Sequence, residues 1–137
     1  MVRYSFCTFT GAMLFALFAQ LVGCSTTDKL NELDYTVRAY ERVIRWGDLE
    51  MTGQFRKERD VVLTDQDKKR MAGIRVTSYD VVDSSVSKDK LHAQQLVKIR
   101  YYFQDTMVEK TISDRQDWAF DEETQKWYLE SYPPEFK

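Results

Sequence analysis

Two cysteines, one histidine and a few polar residues in otherwise apolar strand positions are the side chains of this 137-residue chain whose types could do chemistry. The thiols are Cys7 and Cys24, and the imidazole is His92. A Ser-His or Cys-His pair, or a zinc site, needs more ligands and bases than this inventory offers, so no metal or cofactor is expected. His92 falls at a strand start in a position that alternation turns to solvent, and reads as a surface side chain. With 5 glycines in the chain, neither a P-loop nor a dinucleotide-binding fingerprint is present. What remains is Gln95 on one strand and Lys110, Asp114 and Gln116 on the next, all in the parity that faces a core. A carboxylate there is desolvated, as a general base must be to work near neutral pH, so Asp114 is the catalytic candidate. The opposing expectation is structural: a bulge in so long a strand would flip the parity and return Lys110 or Asp114 to water.

Cys24 stands in a different context. It follows Leu21, Val22 and Gly23 at the end of a stretch from Phe6 that holds no charged residue, with Arg3 ahead of it. That order, basic then apolar then small, is the order of a secretory signal. The Leu21-Val22-Gly23-Cys24 string resembles the lipobox of bacterial lipoproteins. The resemblance implies cleavage before Cys24, a diacylglyceryl group and often a third acyl chain on that residue, and attachment to the membrane through this anchor. Ser25 follows where an aspartate would favour inner-membrane retention, which implies the periplasmic face of the outer membrane in a Gram-negative source. A permanent membrane helix is the alternative for an uncharged stretch of this length. Thr8, Thr10, Gly11 and Gln20 within it, and no basic cluster after it, argue for the signal.

Removing 1–23 from 137 residues leaves 114, enough for one domain. Cys7 would leave with the signal and Cys24 would carry the anchor, so no disulfide is available and a hydrophobic core must hold the fold. Without Arg3, 19 of the 20 basic residues face 22 acidic ones, and nucleic acid is not an expected partner. Nothing in the chain specifies an oligomeric state.

The elements that would position these residues follow from periodicity. Residues 24–28 read as a short tether, and 29–137 as a single domain. Asp28 is a candidate N-cap for a helix whose apolar face is Leu30, Leu33, Val37, Tyr40 and Ile44, ended by Gly47. Asp48 is a candidate cap for a short second segment with Leu49, Met51 and Phe55, and the run from Arg56 to Asp60 reads as a solvated face. Thr64 and Asp67 have the spacing of a capping box for a helix over 65–72, closed by Gly73. After Gly73 the period becomes two, and strands are expected over 74–82, 91–103, 107–120 and 127–132. The long middle pair should coil or bulge.

This is an α+β order: a long N-terminal helix and a short one packed on a curled four-stranded antiparallel sheet. The helix from Leu30 to Ile44 ending at Trp46-Gly47-Asp48, the strand pair 91–103 and 107–120, and the closing Trp127-Tyr128-Leu129 make it resemble the NTF2-like superfamily, with a cystatin-like sheet as the near alternative. Enzymes of NTF2-like fold such as the ketosteroid isomerases use carboxylates in the concave pocket, which is what the resemblance implies for Asp114.

The leading expectation is a non-enzymatic domain that binds an envelope protein. Arg100, Tyr102 and Tyr128 share the solvent parity of their strands, and tyrosine and arginine are favoured at binding hot spots. The second expectation is a small apolar ligand in a helix–sheet pocket lined by Tyr101, Asp114, Gln116 and Trp118. The third is an NTF2-like enzyme using Asp114.

Overall fold

The computed structural model describes residues 23–137, with side chains from Thr27 onward. Residues 1–22 of the expected signal segment and the Cys24 thiol lie outside the described residues. Helix α1 (Gly23–Trp46) is followed by a 3₁₀ helix (Leu49–Phe55), α2 (Asp65–Ala72) and strands β1 (Ile74–Val86), β2 (His92–Phe103), β3 (Glu109–Asp121) and β4 (Lys126–Leu129). The strands form one antiparallel sheet in sequential order.

Helix α1 begins earlier than an Asp28 cap would place it, because nothing in Cys24–Thr27 breaks the helical backbone. Residues 24–28, expected as a tether, continue the helix, whose described part is about 36 Å long at ~1.5 Å per residue. Its first turns are pinned to the far end of the sheet. Trp127 Nε1 donates to the Lys29 carbonyl at 2.8 Å, and the Lys29 ammonium pairs with Glu122 at 3.2 Å. Gly47 ends the helix in the left-handed region at φ 81°, where a side chain would be strained. The apolar face is as the spacing implies, with Tyr40 and Ile44 fully buried and Leu33 and Val37 packed against the core.

Thr64 accepts from the Asp67 amide while the Asp67 carboxylate accepts from the Thr64 amide, so the capping box forms in both directions. Asp48, by contrast, makes no side-chain cap. The sheet is not strongly curled. The β2–β3 register runs without a shift from His92 opposite Ala119 to Tyr102 opposite Glu109. Irregularity falls instead in β1, between Val76 and Ser78 and between Val81 and Asp83. An extra residue there flips which side chains face inward: Ile74 and Val76 before it, Tyr79 after it.

Helix α1 and the 3₁₀ helix lie on one face of the sheet, and α2 packs against the 3₁₀ helix. Tyr40, Phe55 and Trp118 meet edge-on, with ring centroids 5.1, 5.5 and 6.5 Å apart. Strand β4 stops at Leu129, short of the expected 132, because the next two carbonyls are taken by a side chain. Arg56 Nη1 donates to the carbonyls of Glu130 at 2.6 Å and Ser131 at 2.7 Å, while Nε and Nη2 hold Asp60 at 2.5 and 2.9 Å. Its guanidinium also lies 4.2 Å from the centre of the Tyr132 ring. The charged run expected to be a solvated face therefore contains a buried arginine that ties the 56–60 loop to the end of the sheet. The tail then folds back, and Phe136 packs edge-on against Tyr101 with centroids 4.9 Å apart.

Candidate functional site

The unshifted β2–β3 register decides where the polar residues go. Asp114 and Gln116 keep the inward parity, and both are buried on the helix-covered face. Tyr79 joins them from β1 only because the bulge near Thr77 changes that strand's parity. Gln116 Nε2 donates to the Tyr79 hydroxyl at 2.8 Å and to Asp114 Oδ2 at 2.7 Å. Burial pushes the Asp114 carboxyl up, opposed by the Gln116 hydrogen bond that favours its charged form. Burial also raises the Tyr79 and Tyr40 hydroxyls, so neither ionises readily. Three polar atoms around this cluster have no hydrogen-bond partner among the described residues: the Tyr40 hydroxyl, Gln116 Oε1 and Trp118 Nε1. Each such group costs roughly 1–3 kcal/mol relative to a satisfied one.

The approach to the cluster is narrow. A cavity of about 260 Å³ opens between α1 and the sheet, lined by Asp34, Val37, Arg38, Glu41, Tyr79, Val81 and Gln95. Asp114 and Gln116 do not line it. Arg38 and Asp34 at its mouth pair with each other at 2.8 Å, and Glu41 pairs with Arg45 at 3.3 Å. Of the polar residues placed inward by alternation, Gln95 is half-buried at this cavity and Lys110 is exposed, its ammonium donating to the Lys137 carbonyl at 2.8 Å.

The four residues expected to line one ligand pocket do share the inner face, but they are not around one space. Trp118 is packed by Tyr40 and Phe55, Asp114 and Gln116 by each other and Tyr79, and Tyr101 by Phe103 and Phe136. The Tyr101 hydroxyl is itself engaged, accepting from the Lys137 amide at 3.0 Å and donating to its carbonyl at 2.7 Å. The chain's own tail thus packs against Tyr101 on the inner face. Phe136 was hidden from periodicity because it follows Pro133-Pro134, where no strand continues.

On the uncovered outer face, Arg100 and Tyr102 are neighbours on β2. Arg100 Nε donates to Ser78 Oγ at 2.8 Å, and Tyr102 lies between Arg75 on β1 and Glu109 on β3. Tyr128 does not belong to that patch. It pairs with Ala119, which pairs with His92, and His92 is ten residues from Tyr102 along β2, about 33 Å at ~3.3 Å per residue. Tyr128 instead borders a groove of about 590 Å³ with His92, Phe120 and the Lys57–Asp121 ion pair. Among the described residues, no cluster of histidine, cysteine and carboxylates could hold a metal ion, and no helix is long and apolar enough to cross a membrane.

With this geometry in hand, similarity to known proteins is informative about fold. No family model matches the chain, and no curated protein does. The solution structure of a SEC-C motif containing protein from Rhodopseudomonas palustris is similar, with a TM-score of 0.54 and 14% identity over 70% of this chain and 73% of that one. The fold is α+β and similar to the fold of that protein. At that identity the likeness concerns the path of the backbone.

The buried carboxyl gives a direct prediction. A carboxyl whose pKa is raised by folding stabilises the fold while protonated, and that contribution is lost as pH rises through its folded pKa. Asp114→Asn removes the charge and keeps an acceptor for Gln116. The variant is therefore expected to be at least as stable as the parent at neutral pH and to lose that advantage in acid, as read from urea midpoints across pH. A variant destabilised at neutral pH would mean that ionised Asp114 is held by contacts other than Gln116.

Proposed function

We propose that this chain is a lipid-anchored lipoprotein of the bacterial envelope, attached through Cys24, whose domain is not an enzyme and binds an envelope protein through the outer face of its sheet. The observation that carries the reading is the asymmetry of the sheet. Its inner face is filled by Tyr40, Phe55, Trp118 and the tail, while Lys98, Arg100, Thr111 and Ser113 on the other face are exposed. On that exposed face Arg100 beside Tyr102 supplies the residue types that concentrate binding energy. In this reading the anchor joins α1, whose Lys29 is tied to the sheet through Trp127 and Glu122, so the domain lies close to its membrane. In a Gram-negative source Ser25 favours the outer membrane, and no cofactor is required.

The cavity at Tyr79 and Gln95 is the observation that favours a second reading, a small ligand at the helix–sheet boundary. Variants separate the two. Lipidated protein recovered from its own envelope with Tyr102→Ala should lose bound protein partners, whereas Gln95→Ala, at the cavity, should keep them. Partners lost with Gln95→Ala alone would move the function to the cavity. Equal recovery by both variants and the parent would remove Tyr102 from the interface.

A further inference from the structure

A separate cavity of about 380 Å³ lies beside α2, and the tail 132–136 closes one side of it. Its apolar walls are Val61, Leu63, Met71, Ile74 and Phe136. Gly53 lies behind one wall: a Cβ there would come to 3.0 Å from the Val61 Cβ and press on the 61–63 segment.

The charges at its rim are unequally engaged. Asp67 Oδ2 accepts from the Thr64 amide at 3.1 Å and the Thr64 hydroxyl at 2.7 Å, and Glu135 pairs with Lys137 at 2.8 Å. Among the described residues Arg70 makes only long contacts, 3.6 Å to Asp67 and 3.5 Å to the Phe136 carbonyl, and half of its side chain is in solvent. An apolar chamber with one under-engaged guanidinium at its mouth is complementary to an apolar chain with one anionic end. A carboxylate can take the guanidinium fork through two parallel hydrogen bonds, which an alcohol or an ammonium cannot. The volume falls in the lower part of the ~300–1,000 Å³ range of small-molecule sites.

We propose that this cavity binds a fatty-acid-like amphiphile, its chain between Leu63, Met71 and Ile74 and its carboxylate on Arg70. The site shares no residue with the outer sheet face and does not depend on that surface having a partner.

The test uses the full chain in phosphatidylcholine nanodiscs, titrated with laurate labelled at its carboxyl carbon and followed by carbon NMR. The expected result is a bound carboxyl resonance, distinct from laurate in the lipid, that saturates at one per chain. Arg70→Gln should weaken binding by about tenfold or more, the loss of a charge-assisted hydrogen bond, while Lys69→Gln on the same exposed helix leaves it unchanged. Leu63→Trp, which fills the chamber, should abolish the resonance. Only the lipid-pool signal in the parent, or equal weakening by Arg70→Gln and Lys69→Gln, would overturn the proposal.

Discussion

Arg56→Ala is expected to lower the stability of the domain by about 2–4 kcal/mol, more than any other substitution in the charged run from Arg56 to Asp60. The guanidinium meets Asp60 through two nitrogens and the carbonyls of Glu130 and Ser131 through a third, and its loss leaves those carbonyls unpaired next to the core. Asp60→Asn should cost less, because the carbonyl contacts survive it. The pair also predicts an acid response. The Arg56 guanidinium holds the Asp60 carboxyl down at about 2, below its ordinary 3.8. Its contribution is therefore complete above the ordinary value and lost as pH falls through the folded one. Both variants should flatten the decline of stability over that window, read by chemical denaturation at a series of acid pH values. A parent-like decline in both would show that other carboxylates set the acid limit.

Cys24→Ala is expected to abolish palmitate incorporation altogether and to leave residues 1–23 on the chain. The reasoning is chemical: no other thiol stands at the end of the uncharged stretch, and alanine has no nucleophile for a lipid to join. Two or more acyl chains anchor stably where one is marginal, so the parent should resist extraction by high salt and carbonate. Metabolic labelling with intact mass measurement reads both parts of the prediction. Label retained on Cys24→Ala, or a parent chain that begins elsewhere, would end the lipoprotein reading.

Much of the fold was legible because long elements announce their period. The apolar face of α1, the Thr64–Asp67 capping box and the alternation of β2 and β3 all formed as their spacing implies, and with no bulge between β2 and β3 Asp114 and Gln116 stayed inward. What escaped depends on single residues. One extra residue in β1 reverses its parity and brings in Tyr79, which completes the polar cluster. Arg56 looks like its solvated neighbours in sequence, and only the ends of β4 explain its burial. Phe136, a lone aromatic after two prolines, gave no periodic signal, yet it packs against Tyr101 on the inner face. Tyr128 had the right parity and the wrong end of the sheet, since alternation specifies a face and says nothing of distance along it.

Site-specific photo-crosslinking in intact cells tests most directly the central claim, that the anchored domain works through the outer sheet face. Benzoylphenylalanine would be placed at Tyr102 on that face and, as a comparison, at Tyr35 on the solvent side of α1, which is 65% exposed. A discrete protein adduct from position 102, absent from position 35 and lost when Cys24 is replaced by alanine, is the result expected. No adduct from 102, or the same adduct from 35, would contradict the account.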